Sequence, residues 1–162
     1  MSIVKDPTAA ALYPVDYGMV AMGGHCGVLA VAIMAGRPFE EAWDAIKSRS
    51  RKRGRWQGGT THSERVTLLK AWGIPHRTVY HSPMARRGYI KPAGYDDMLP
   101  ICTLETFAKR YAKPGVTYML RVSGHIVTLR DGMVIDQGYA GPVSGYFRRR
   151  SKVTHSVERL AA

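Results

Sequence analysis

The longest apolar stretch of the chain runs from Cys26 to Ala35 and is followed by Gly36. The stretch is about half as long as a membrane-spanning helix, so it predicts a buried helix of a globular protein. Gly36 is a typical end for that helix. Residues 1–7 lack a basic segment followed by an apolar one, so neither a signal peptide nor a transmembrane helix is expected.

In the rest of the chain, the residue patterns predict mostly helices in the earlier part of the sequence and mostly strands in the later part. Further helices are expected from Pro38 to Arg49, from Thr61 or His62 to Trp72, and from Thr103 to Ala112. The apolar residues expected to face inward on the first two of these are Phe39, Trp43, Ile46, Val66, Leu69 and Trp72. Strands are expected at residues 77–80, 116–122, 125–130, 133–137 and 152–160, and the rest of residues 75–100 is left unassigned. This order is typical of an α+β fold with an antiparallel sheet.

The length and the net charge of the chain limit the classes of protein to which it can belong. A chain of 162 residues with 45% hydrophobic residues fits one domain that buries a core without disulfides or metal. Its 24 Lys and Arg against 12 Asp and Glu give a net charge of +12, which favours acidic partners. The two cysteines, Cys26 and Cys102, stand in unlike surroundings, so unpaired thiols and an intracellular location are expected.

Cys26 opens the predicted buried helix and is the candidate nucleophile. The N–H groups and the positive end of the dipole at a helix N-terminus favour thiolate over thiol. The alternative is a small buried residue, since free cysteine is among the most buried residue types. Cys102, between Ile101 and Thr103, is expected to be a packing residue.

A tight hairpin places a candidate base beside a carboxylate. Asp131-Gly132 is a typical two-residue hairpin loop, and it pairs Leu129 with Val134. Because side chains alternate along a strand, His125 and Asp136 then share one face as diagonal neighbours. The same face carries apolar residues and is expected to pack against the cysteine helix: Val127, Leu129 and Val134.

These motifs resemble those of papain-like cysteine peptidases, particularly small microbial and phage members and the domains that process bacteriocins. The family shares Cys-Gly at the start of an apolar helix, Gly-His-apolar on a strand, Asp-Gly, and an apolar segment ending in Asp. The corresponding segments are Cys26-Gly27, Gly124–Val127, Asp131-Gly132 and Val134–Asp136. The resemblance covers residues 26–73 and 103–137. It implies one papain-like domain over residues 1–162, in which the nucleophile helix of the N-terminal helical half packs on a C-terminal antiparallel sheet.

The resemblance implies catalysis by Cys26 as nucleophile, His125 as general base and acid, and Asp136 as the group that orients the imidazole. The expected activity is hydrolysis of a peptide, isopeptide or related amide bond through a Cys26 thioester, without a cofactor. The expected location is the cytoplasm of a bacterial cell or of a phage-infected host. Two alternatives stay open: an acyltransferase or amidase with the same triad, and a weak or inactive basic binding protein on this scaffold.

The chain departs from the family pattern at the side chain that usually donates a hydrogen bond to the oxyanion. Papain-like enzymes usually carry a glutamine shortly before the cysteine, but this chain has no Gln before Cys26 and no Asn at all. The backbone N–H of Cys26 is one candidate donor, and Tyr17, His25 and Gln57 are candidates for a second.

The other polar residues raise three further questions. Histidines outside the proposed triad lack zinc-ligand spacing, so no metal site is expected. A basic surface is a candidate for binding an acidic protein or a nucleic acid, with a merely solvated loop as the alternative: Arg51, Lys52, Arg53 and Arg55. Trp56, Tyr146 and Phe147 are candidate stacking residues for a nucleic acid. The expected substrate is a peptide or protein, and no membrane partner is expected.

Overall fold

The computed structural model describes residues 25–50, 56, 58–136 and 138–161. The helices are α1 (Cys26–Ala35), α2 (Phe39–Arg49), α3 (His62–Ala71) and α4 (Leu104–Arg110). The strands are β1 (His76–Ser82), β2 (Asp97–Pro100), β3 (Cys102–Thr103), β4 (Tyr118–Val122), β5 (His125–Arg130), β6 (Met133–Asp136), β7 (Tyr139–Pro142) and β8 (Lys152–Arg159). Two 3₁₀ turns cover Ala85–Arg87 and Val143–Gly145.

The eight strands found in the described residues belong to one sheet. Their order is β2-β1-β8-β4-β5-β6-β7, with β3 paired to β8. Only β1 and β2 run parallel; every other pair is antiparallel. The expected α+β class is therefore confirmed. No helix within the described ranges has the length and apolar character needed to cross a membrane.

Helix α1 forms where the apolar stretch predicts it. Every residue from Gly27 to Ala35 is buried, and Gly36 ends the helix in the left-handed conformation at φ 66°. Helix α2 covers it with the predicted stripe of Phe39, Trp43 and Ile46, all buried. Since apolar burial is the main driving force for folding, α1 is the centre of one core.

Helix α3 is the third helix on this side of the sheet. The Thr61 hydroxyl oxygen caps it by accepting a hydrogen bond from the Glu64 backbone N–H, and the Thr61 backbone N–H donates one to the Glu64 carboxylate. The side that faces the core carries Leu68 and Leu69. Of the residues predicted to face inward, Leu69 is confirmed, whereas Val66 and Trp72 are only partly buried.

The hairpin of β5 and β6 has the predicted register. Leu129 pairs with Val134, and the loop residues Asp131 and Gly132 have φ angles of 49° and 73°. Two positive φ angles define the type I′ turn that suits the twist of paired strands. The hairpin therefore places residues of β5 and β6 on the faces that were expected.

One expectation about these faces was wrong. Val127, Leu129 and Val134 pack with α4 and Tyr146, not with α1. Helix α1 instead contacts the opposite face of the sheet, through Ile126 and Ile135 among others. Both faces of β5 are covered, and the face that meets α1 is the less apolar one, with Ile126, Thr128 and Arg130. The alternation of side chains therefore could not indicate which face meets the helix.

Strands β2 and β7 were not predicted. Both end in proline, at Pro100 and Pro142, and both lie at the two edges of the sheet. Proline is tolerated at an edge because no further strand needs its N–H. Short edge strands of this composition have little periodic pattern, so their neighbours in the sheet are what establish them.

Candidate active site

Cys26 is the first residue of α1, where the helix meets the start of β5. Its sulfur accepts a hydrogen bond from the backbone N–H of Ile126 and is hydrogen-bonded to the His125 side chain. Helix α1 covers one face of β5 and His125 belongs to the other face. The thiol and the imidazole meet at the N-terminal end of β5, where His125 is the first residue of the strand.

His125 and Asp136 form the pair that the hairpin register predicts. His125 Nε2–H donates to both carboxylate oxygens of Asp136, at 2.7 and 2.8 Å. Asp136 is 3% exposed, and its Oδ2 also accepts a 2.6 Å hydrogen bond from the Tyr146 hydroxyl. Because Nε2 faces Asp136, Nδ1 is the nitrogen left for the Cys26 sulfur.

The hydrogen bonds change the ionisation of both partners. Burial of Cys26 opposes ionisation, but hydrogen bonds from His125 and from the Ile126 backbone outweigh it and lower the pKa of the Cys26 thiol. The hydrogen bonds of His125 to Asp136 and to Cys26 outweigh its burial and raise the pKa of its imidazole to about 9. Both shifts favour the thiolate–imidazolium pair over the neutral thiol and imidazole, and that pair is the reactive form of such a nucleophile.

The second cysteine lies in a different environment. Cys102 is in β3, beside α4, and burial raises the pKa of its thiol to about 11. Cys26 and Cys102 are not joined in a disulfide. The contrast agrees with the expectation that Cys102 is a packing residue.

Two polar residues that sequence reasoning missed lie against the first turn of α1. The Arg65 side chain is buried, and its Nη1 donates to Thr60 Oγ1 at 2.9 Å and to the Thr60 carbonyl at 3.0 Å. Arg65 lies three and four residues before Leu68 and Leu69, the buried side of α3. An arginine at an inward-facing helical position was the signal that could have identified it.

Gly27 makes room for this arginine. A Cβ atom at Gly27 would lie 2.0 Å from Thr60 Oγ1 and 3.2 Å from Arg65 Cδ. The glycine after the nucleophile thus permits Thr60 and Arg65 to pack directly beside Cys26. This contact gives a physical reason for the Cys-Gly pair.

Gly27→Ala is expected to destabilise the protein. Alanine gains about 1 kcal/mol in helix propensity, but overpacking beside Thr60 costs about 1–3 kcal/mol. Thermal unfolding measures the net loss. Thr60→Ala removes the clashing hydroxyl, so the double variant Gly27→Ala/Thr60→Ala is the matched control and should recover stability relative to the sum of the two single changes. A Gly27→Ala protein more stable than the wild type would contradict the contact.

A cleft of about 470 Å³ opens beside Cys26. It is lined by Cys26, Gly27, Gly59, Thr60, Thr61, His62, Arg65, Arg121, Gly124, Ile126 and His155. The cleft therefore lies where α1, the start of α3 and the β4–β5 turn meet. A substrate bound there would lie next to the thiol.

The structure describes only two of the four candidate donors to the oxyanion, His25 and the backbone N–H of Cys26. The His25 side chain is 1% exposed and packs edge-on against Phe39, with ring centroids 5.4 Å apart, and it does not line the cleft. Tyr17 and Gln57 lie outside the described residues. The backbone N–H of Cys26 belongs to the first turn of α1, at the edge of the cleft.

The proposed basic surface also falls outside the described residues: Arg51, Lys52, Arg53 and Arg55. Two of the three aromatic residues considered for stacking are core residues. Trp56 is buried against Trp43 and donates to the Gly59 carbonyl, and Tyr146 is fully buried. They were expected to be accessible, which was wrong, because large aromatic surfaces gain most from burial. Phe147 is 73% exposed.

Tyr146→Phe tests how the buried carboxylate is held. The change removes one hydrogen bond to Asp136 while keeping the ring, and a hydrogen bond to a charged group contributes about 1.5–3 kcal/mol. We expect a loss of stability of that size in thermal or denaturant unfolding. Tyr139→Phe is the matched control, since the Tyr139 hydroxyl donates to the Pro142 carbonyl in an exposed setting. Equal effects of the two changes would contradict the role of Tyr146.

The described residues contain no group of three His, Cys, Asp or Glu side chains arranged to hold a metal ion. Comparisons of the chain with protein-family models, curated proteins and solved structures found no match. Any function assigned to this chain therefore depends on its own residues.

Proposed function

We propose that the chain is a papain-like cysteine hydrolase that cleaves a peptide, isopeptide or related amide bond. The observation that carries the proposal is the continuous hydrogen-bonded series Cys26–His125–Asp136 at the N-terminus of a buried helix. A nucleophile bonded to a base that a third group orients is the recurring arrangement of covalent acyl-transfer catalysis. The resemblance of the sequence motifs to this family supports the same reaction.

The first half of the reaction is acylation. The Cys26 thiolate attacks the carbonyl carbon of the amide, and the resulting oxyanion is stabilised by the Cys26 backbone N–H. The C–N bond breaks as the His125 imidazolium gives its proton to the leaving amine, and a Cys26 thioester remains.

The second half is hydrolysis of the thioester. Neutral His125 accepts a proton from water, whose oxygen attacks the thioester carbonyl. The C–S bond breaks, the carboxylic acid leaves, and the thiolate and imidazolium are restored. Asp136 holds Nε2–H throughout, so Nδ1 stays directed at the sulfur.

Incubation with an activated ester, p-nitrophenyl acetate, tests this proposal. Mass spectrometry of the intact protein and of its peptides should show an acetyl group on Cys26 that is lost with time. Cys102→Ser should behave like the wild type, and Cys26→Ala should not be acetylated. Acetylation confined to Cys102, or no acetylation of a folded protein, would contradict the proposed function.

The same experiment separates the alternatives. If an added amine such as glycinamide takes the acetyl group much faster than water does, the protein is an acyltransferase. A binding protein on this scaffold would release no p-nitrophenol in excess of one equivalent. Steady release that depends on Cys26 is the result expected of the hydrolase.

A further inference from the structure

Arg65 is a buried cation beside the nucleophile. Its side chain is 4% exposed and lines the cleft, and burial lowers its pKa to about 10, so it keeps its charge at neutral pH. Its Nη1 is bonded to Thr60, but its Nε is buried and has no hydrogen-bond partner among the described residues. Leaving a charged donor buried without a partner is costly, which indicates that a ligand completes the site.

A second arginine faces the same space. Arg121, the only solvent-exposed residue of β4, lines the cleft, and its Nη1 lies 3.4 Å from His155 Nε2. Because a guanidinium only donates, Nε2 of His155 is the acceptor, and its Nδ1–H faces the Tyr95 hydroxyl. The contact places the Arg121 guanidinium beside His155, which also lines the cleft.

The other polar residues of the cleft do not cancel these charges. Burial lowers the pKa of His155 to about 4, and it also lowers the pKa of His62, so both are neutral at pH 7. No Asp or Glu is among the described residues that line the cleft. The Cys26 thiolate is hydrogen-bonded to His125 and also attracts Arg65, but one anion does not balance the positive charges of His125 and the two arginines. The cleft therefore presents two guanidinium groups to a ligand.

We infer that this cleft binds a carboxylate of the substrate between Arg65 and Arg121, next to the carbonyl that Cys26 attacks. Guanidinium groups bind carboxylates through paired N–H donors, and an amide substrate carries carboxylates at its C-terminus and on Asp and Glu side chains. The reaction in this inference rests on the proposed function, whereas the binding site rests on the two arginines. The substrate class is thus an acidic peptide or a peptide cleaved close to its free C-terminus.

A pair of alkylating reagents tests the site without a known substrate. Iodoacetate and iodoacetamide react with the same thiolate, but only iodoacetate carries a carboxylate. The ratio of their rate constants at Cys26 cancels any change in the pKa of the thiol and reports the attraction for the carboxylate alone. Peptide mass spectrometry gives both rates.

Arg65→Gln and Arg121→Gln should each lower the iodoacetate-to-iodoacetamide ratio about fivefold, since each removes one nearby cation in a partly desolvated site. Arg65→Lys keeps the charge and should lower the ratio less than Arg65→Gln. Arg130→Gln is the matched control, because Arg130 lies at the far end of β5 and is exposed. Should Arg65→Gln fail to fold, Arg121→Gln still decides. A ratio that stays within about twofold of the wild type in the folded Gln variants of Arg65 and Arg121 overturns the inference.

A second measurement does not need the thiol. Thermal unfolding of Cys26→Ser with succinate should show stabilisation that Cys26→Ser/Arg121→Gln loses. If Cys26 proves unreactive while this stabilisation is present, the proposed function fails and the carboxylate site stands. If succinate stabilises both proteins equally, or neither, the carboxylate site is overturned.

Peptides identify the source of the carboxylate. A mixture of peptides is digested with free and with amidated C-termini, and with Glu or Gln at the same positions. Cleavage that amidation abolishes assigns the C-terminal carboxylate, and cleavage that Glu→Gln abolishes assigns the side chain. Cleavage indifferent to both changes contradicts the inference while supporting the proposed hydrolase.

Discussion

His125→Ala is expected to lower the rate of Cys26 acylation by p-nitrophenyl acetate, and the turnover of any cleaved amide, by about 10²–10⁴-fold at pH 7. The His125 imidazole is hydrogen-bonded to the Cys26 thiol, and its own pKa is raised to about 9. The protonated imidazole therefore forms an ion pair with the thiolate and stabilises it. Without it, no proton is available for the leaving amine. Stopped-flow release of p-nitrophenol and single-turnover assays measure the two losses.

Two further variants show whether the loss belongs to the triad. Asp136→Asn should give a smaller loss, because an amide has one acceptor oxygen where His125 and Tyr146 now share two. His76→Gln changes a histidine of β1 that does not line the cleft, and it should leave the rate unchanged. Full activity of His125→Ala would show that another residue is the base.

The second large effect is the selectivity between the two thiols. At pH 7, a thiol whose pKa is raised to about 11 is ionised in about one molecule in 10⁴, which is the state of Cys102. The pKa of Cys26 is lowered from the ordinary value of 9.0, so a far larger fraction is thiolate. Iodoacetamide at pH 6–7 is therefore expected to label Cys26 at least about 100-fold faster than Cys102. Peptide mass spectrometry gives both rates.

The pH dependence has a definite sign. Alkylation of Cys26 should rise as the pH passes its lowered pKa and stay high above it, since the thiolate persists. Turnover should follow the same rise but fall again near pH 9, where His125 loses the proton that the leaving amine needs. In His125→Ala the rise in alkylation should move to higher pH. Labelling of Cys102 at the rate of Cys26 would show that the hydrogen bonds of Cys26 do not control its ionisation.

Much of the candidate site follows from short stretches of sequence. The apolar run and Gly36 specify α1 and put Cys26 at its first residue, because an apolar stretch of 10 residues followed by glycine favours a buried helix over a strand. The Asp131-Gly132 loop specifies the register of β5 and β6. That register alone puts His125 beside Asp136, since the period of side chains along a strand is two residues. Each of these features depends on neighbours within one helix or one hairpin.

The remaining features of the fold and of the candidate site depend on contacts between segments that are far apart in the sequence. The face of β5 that meets α1 was predicted wrongly, because both faces are covered and the choice depends on how α1 and α4 share the sheet. Tyr146 reaches Asp136, and Arg65 reaches the turn that holds Cys26, only because separate elements pack together. Periodicity shows which residues share a side of an element, but which partner covers that side depends on packing across the whole chain.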